Sequence, residues 1–269
     1  MSEDATTGRL LSRAGNRIAR ILQIGTILRY LGTPVQRVLD KPGETHRFLT
    51  VQGIRIMKED GWDEASAFFQ GHLDVLIKGN YWADTLWKNA THHYNPKTKR
   101  GLWIWPAAHD QCRNWFNAAL NFWKKGKIQK ALFFLGSSLH TVQDSCQPYH
   151  TNCILLDGHQ RYESWVDKHK AEFAEKAGGL YDLSDSPGGW VVQNAIFSHG
   201  FIRNLRNGEG FYAEPTKELL ARAQKTTAGF LIFFLTKAAE TGSLKGFENQ
   251  PDFFEKVLRC RKSVNFSQY

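Results

Sequence analysis

The chain has 269 residues, 42% of them hydrophobic and 23% charged, with a net charge of +9. That composition excludes a disordered or low-complexity chain and leaves room for one sizeable domain or two small ones. The excess of base favours anionic partners, whether phosphates, nucleic acid or acidic lipid surfaces, without choosing between them.

In chain order, the first segment places Arg9, Arg13, Arg17, Arg20 and Arg29 around Leu10, Leu11, Ile18, Ile21, Leu22 and Leu28. This pattern predicts a basic amphipathic helix, attached to a membrane surface or docked on the body with a solvated basic face. Gln23, Gly25, Thr26 and Arg29 interrupt its apolar run. No stretch approaches the ~18–20 apolar residues of a membrane span. A classical signal peptide is not expected, which fits cytoplasmic residence or leaderless export. The expected division is an N-terminal extension over 1–40, a helical catalytic domain over 41–245 and a tail over 246–269.

After the turn "DKPGET", Thr45 is placed to cap a helix carrying His46, Leu49, Gly53, Ile54 and Met57 on one face. A second helix is expected over 62–78, then a long irregular stretch from Gly79 to Pro106. Further helices fit 107–125, 128–145, 160–176, 189–206 and 215–240, with a short one near 250–260. Strand signals are weak throughout, so the expected fold is all-α, a single compact multi-helix domain. A loop as long as 79–106 inside such a domain usually carries function. The four cysteines, Cys112, Cys146, Cys153 and Cys260, form no CxxC pair and exclude a zinc–thiolate site on that pattern. Cys146 and Cys153 flank His150 and are read as free thiols in a reducing compartment, with a disulfide left open in an oxidising one.

The segment "LHTVQDSCQPYHTN" carries the chemistry. His140 and Asp144 stand four apart on one helix face, Pro148 ends the helix, and His150 returns from the turn. His159 and Glu163 repeat the four-residue spacing at the start of another helix. Nitrogen and carboxylate ligands in such a set suit two zinc-like centres. His72, His109, His169 and His199 lack an acidic partner at that spacing and are read as structural or solvated.

The pattern H-x3-D-x3-P-x-H followed by H-x2-Y-E resembles the signature of the bacterial zinc-dependent phospholipases C. "THRFLTVQGIRIMKED" is similar to that family's first metal-binding helix, and "NYWADTLWKNATHHYNP" to its metal loop; "RAQKTTAGFLIFFL" is also similar. The likeness runs over about residues 40–240. It implies three metals: one held by Asp84, His92, His140 and Asp144, a second by His150, His159 and Glu163, and a third by His46 with Asp144 as bridge. His93 is the rival to His92 in that loop; with His92 as the ligand, which the family pattern favours, His93 is exposed or in contact with a ligand. The resemblance also implies two or three Zn2+ ions, a phospholipid substrate at a membrane surface, and no nucleic-acid or protein partner. Asp84 is the candidate general base, and Trp82, Trp87, Trp103 and Trp105 are candidates to seat the site at a bilayer.

Some positions depart from the family pattern. No tryptophan precedes Trp62, where the family completes its third site with a terminal amine. Either the extension is trimmed to expose an amine near Gln36, or another group substitutes, with Asp40 and Glu44 as candidates, or the third metal is weakly held. Thr85 and Asn89 stand where choline-cleaving members carry aromatics. The tail is too short for the β-sandwich of the larger toxins. The alternatives are a zinc nuclease for single strands and a non-catalytic lipid-binding relative.

Overall fold

The computed structural model describes residues 44–241 together with 247, 252, 253, 255 and 257. The basic stretch over 1–40, Asp40, Cys260 and most of the short helix near 250–260 lie outside the described residues. Among the described residues up to 241, ten α-helices follow in order: α1 Glu44–Glu59, α2 Asp63–Gly71, α3 Leu73–Ala83, α4 Ala108–Lys124, α5 Ile128–Asp144, α6 Pro148–Thr151, α7 His159–His169, α8 Pro187–Ser198, α9 Ile202–Leu205 and α10 Ala213–Ala239. Among the described residues there is no strand, only a single bridge between Asn95 and Arg100. The all-α expectation holds.

Several boundaries differ from the sequence reading, each for a local reason. The 62–78 helix is two helices, α2 and α3, broken at His72, whose Nδ1 turns back to the Phe68 carbonyl at 2.8 Å. α3 runs on through Gly79 and Asn80 to Ala83, five residues into the expected loop. The glycine did not end it because Gly79 is a packing position. Thr45 lies inside the first turn of α1 and donates to Asp167 Oδ1 at 3.1 Å, so it does not act as the cap. The 189–206 helix ends at Ser198 and resumes as α9.

α5 is the centre of the bundle, packed between α3 and α4 and touched by α10. Ten consecutive α5 residues, from Leu135 to Asp144, are buried. Trp123, Phe116, Phe230 and Phe234, all at most 1% exposed, fill the space beside α5, each contributing about 1.5–3 kcal/mol by burial. The α3–α5 approach is set by two glycines. A Cβ on Gly79 would fall 1.8 Å from the Phe133 carbonyl oxygen, and one on Gly136 would fall 2.0 Å from that of Leu76. Ser137 Oγ donates to the Gly79 carbonyl at 2.9 Å across the same contact. This close crossing brings Asn80 of α3 beside His140 of α5.

Candidate metal centre

Every residue singled out as a ligand from the sequence falls at one end of α5. α5 delivers His140 and Asp144, α1 delivers His46 from its first turn, and α3 ends one residue before Asp84. His92 follows a 3-10 turn, Leu86–Thr91. α6 begins at Pro148, whose missing N–H costs nothing at a first helical position, and presents His150. Gln147 caps α6, its side-chain oxygen accepting from the Tyr149 and His150 amides. The same side chain donates from Nε2 to Glu163 Oε1 at 3.1 Å, joining α6 to α7.

Three groups of ligand-type atoms result, each with atoms within 4.8 Å of one another: His46, His140 and Asp144; Asp84, His92 and His140; His150, His159 and Glu163. Asp144 links all three. Its Oδ1 lies 3.2 Å from His46 Nε2, while its Oδ2 lies 3.0 Å from His92 Nδ1, 2.9 Å from His140 Nε2 and 3.8 Å from His150 Nδ1. Asp84 Oδ1 stands 3.9 Å from both His92 Nδ1 and His140 Nε2 and is partly open to solvent. In the remaining group His159 Nε2 is 2.9 Å from Glu163 Oε1 and 3.2 Å from His150 Nε2.

These atoms fit divalent cations. Asp144 Oδ2 and His150 Nδ1, which face each other at 3.8 Å within the cluster, are buried without a hydrogen-bond partner, and buried polar atoms are rarely left so. The separations of about 3 Å within the Asp144 group approach the ~3.3–3.6 Å between ligands of one tetrahedral zinc at its usual bond lengths. The electrostatics agree. Burial alone would raise the Asp144 pKa, but the His140 and His150 charges hold it well below the carboxylate range. Burial opposes protonation of His46 and His150, yet Asp144 outweighs it and lifts each to about 9. At His140 burial wins and lowers the pKa to about 4. One buried carboxylate thus organises the positive charge of this pocket.

Behind the ligands lies a set of residues that the sequence reading missed. His140 Nδ1 meets Asn80 Oδ1 at 3.0 Å, and Asn80 Nδ2 donates to Gln143 Oε1 at 2.9 Å. That same Oε1 is 2.9 Å from His46 Nδ1, while Gln143 Nε2 donates to the hydroxyls of Thr50 and Thr227 at 3.3 and 3.2 Å. With both amide nitrogens committed elsewhere, Asn80 and Gln143 present oxygens to the two rings. His46 and His140 therefore carry their protons on Nδ1 and turn Nε2 toward Asp144.

Of its two expected places, His93 takes the one in contact with a candidate ligand and not the exposed one. It is 2% exposed, stacks on His150 with ring centroids 4.8 Å apart, and has no hydrogen-bond partner on either nitrogen. Burial, then the His150 and His92 charges, push its pKa down to about 2. Glu44, the candidate substitute for the terminal amine, hydrogen-bonds Tyr81. Cys112, Cys146 and Cys153 are free thiols. His72, His169 and His199 each engage a backbone carbonyl, and His109 sits beside Asp110.

Fold and pocket define a class: an all-helical bundle with a cluster of histidine and carboxylate side chains able to hold metal ions at the end of a buried helix. Residues 45–194 match the model of the family described as zinc dependent phospholipase C, and the chain belongs to that family. It is 28% identical to the phospholipase C of Paraclostridium bifermentans over 204 residues, covering 62% of this chain and 49% of that protein. It is 27% identical to that of Listeria monocytogenes over 192 residues, covering 64% and 66%. The chain thus spans about half the length of the first of these relatives. Among solved structures, the alpha toxin of Clostridium absonum superposes with a TM-score of 0.66 at 20% identity, over 75% of this chain and 65% of that one. This last likeness concerns the fold.

Proposed function

We propose that the chain hydrolyses glycerophospholipids between glycerol and phosphate, as a zinc-dependent phospholipase C, releasing diacylglycerol and a phosphorylated headgroup. The observation that carries this reading is the placement of Asp144, whose Oδ1 faces His46 while its Oδ2 faces His92 and His140. Asp84, His92, His140 and Asp144 would hold one ion, and His150, His159 and Glu163 a second. His46 with Asp144 would hold a third, for two or three zinc ions in all. Zinc, when bound, supplies Lewis-acid neutralisation of charge at phosphorus and lowers the pKa of water.

The chain's own residues supply the rest. Asp84, 44% exposed at its side chain and set at the mouth of the pocket, accepts the proton of the attacking water. The water oxygen bonds to phosphorus as the P–O bond to glycerol breaks, and the departing glycerol oxygen takes up the proton that Asp84 received. Asn80 and Gln143 hold two imidazoles in the tautomer that offers Nε2. The substrate is met at a membrane surface, and among the described residues no helix is long and apolar enough to cross one.

The test uses purified full-length chain, with zinc content and product release measured together on mixed phospholipid vesicles and on single-stranded DNA. Two or three zinc equivalents with diacylglycerol release, both reduced by His150→Ala, are expected. DNA cleavage without diacylglycerol would overturn the reading in favour of a nuclease.

A further inference from the structure

Two loops next to metal-centre residues carry most of the exposed large apolar side chains of the described residues. The first runs from His92 to Ala107 and exposes Trp103 (79%), Ile104 (83%) and Trp105 (38%). The second joins α6 to α7 and exposes Leu155 (42%) and Leu156 (82%). They are neighbours in space: the Tyr94 amide donates to the His150 carbonyl at 3.3 Å, and Cys153 Sγ lies 4.0 Å from the Arg100 carbonyl oxygen.

Apolar side chains singly exposed need no explanation, but a contiguous set does. The backbone here is also held in an unfavourable form. Four of the five non-glycine residues at positive φ lie on these loops: Lys99, Trp103, Cys153 and Asp157. At φ 51° Trp103 pays a steric cost that a bulky side chain rarely bears without a local reason. Lys97, Lys99 and Arg100 stand exposed on the first loop and Arg161 on the turn after the second. Asp157, the acid of that segment, already pairs with Arg206 at 3.3 Å.

We propose that these two loops form the surface by which the chain docks on an anionic phospholipid bilayer. Trp103, Ile104 and Leu156 enter the headgroup region, and Lys97, Lys99 and Arg100 engage the acidic lipids. Indole rings favour the membrane–water boundary, and an apolar rim bordered by base matches an acidic interface rather than a neutral one. The inference rests on the phospholipase reading only in its choice of surface; docking is measurable without turnover.

The experiment is flotation of the full chain with vesicles of phosphatidylcholine alone or with phosphatidylserine added. It compares the unaltered chain, the triple substitution Trp103→Ser, Ile104→Ser, Leu156→Ser, and the triple substitution Lys97→Gln, Lys99→Gln, Arg100→Gln. Hydrolysis of a short-chain phospholipid below its micellar concentration, and zinc content, are measured alongside. Phosphatidylserine should strengthen binding of the unaltered chain. The charge substitutions should remove about a hundredfold of that gain, at the usual worth of a basic residue near an acidic leaflet. The apolar substitutions should weaken binding to both vesicles. Binding that is unchanged in both variants, or indifferent to phosphatidylserine, overturns the proposal. So does a fall in short-chain hydrolysis that matches the fall in docking, because the rim would then be serving the metal centre. Docking as expected from a chain that hydrolyses neither lipid would leave the docking surface standing and remove the phospholipase reading.

Discussion

Replacing Asn80 by Ala isolates what holds the ligands from the ligands themselves. Asn80 touches no candidate ion; it joins His140 Nδ1 to Gln143 Oε1 through two hydrogen bonds of 3.0 and 2.9 Å and is 1% exposed. Asn80→Ala leaves the His140 N–H unpartnered and deprives Gln143 Oε1 of one of its two partners. An unsatisfied buried group costs roughly 1–3 kcal/mol, so the metal-free protein should lose about that much or slightly more. The ring of His140 is then free to take the other tautomer, and loss of such an orienting partner typically lowers metal affinity about 10- to 100-fold, or ~1.4–2.8 kcal/mol. Zinc titration against a competing chelator reads the affinity, and urea unfolding of the metal-free protein reads the stability. Asn80→Asp should restore affinity, since a carboxylate still accepts from Nδ1–H. A zinc affinity within twofold of the unaltered chain in Asn80→Ala would refute the orienting role.

Gly136→Ala would drive a Cβ into the Leu76 carbonyl; it should cost at least ~1–3 kcal/mol in urea unfolding, the usual range for overpacking, and reduce zinc content as α3 moves away. His93→Phe keeps a ring against His150 and removes two unpartnered nitrogens, so the metal-free protein should gain about 1–3 kcal/mol in the same assay; a loss would mean that His93 has a polar partner in solution. Stability of the metal-free protein should peak near pH 6.5. It should rise from acid pH as His140, with its pKa lowered to about 4, and His93, lowered to about 2, cease to favour the unfolded chain. It should then fall between about pH 6.5 and 9, where His46 and His150 keep protons that the unfolded chain has released, and level off above about 9. Unfolding midpoints in chelator across that range that only rise with pH would contradict the pairing of these two rings with Asp144.

The ligands could be read in the sequence because metal chemistry constrains residue type and spacing together. His140 with Asp144, and His159 with Glu163, stand one helical turn apart, and no apolar core requires that arrangement. His92 and Asp84 were reached only by resemblance, since their loop has no periodicity to place them. Asn80, Gln143, Thr50 and Thr227 were invisible for a different reason. Each is a common polar residue on a helix, and its role comes from what a neighbouring helix brings opposite it. Gln143 carried one usable signal: it lies between His140 and Asp144 on a helix buried over its last ten residues, so its amide had to be satisfied inside the protein.

Gly79 shows how a correct local rule led to a wrong element. Glycine weakens a helix by about 1 kcal/mol, and the following "NYWADT" has the look of a loop, so the helix was expected to stop at 78. In the fold the missing side chain is what allows α3 to run against α5, with the Phe133 carbonyl where a Cβ would sit. Tertiary contact outweighs propensity here, and the outcome matters for chemistry. Had α3 ended at 78, Asn80 would lie in a loop and His140 would lose its partner. The helix that the sequence appeared to break is the one that orients the central imidazole of the site.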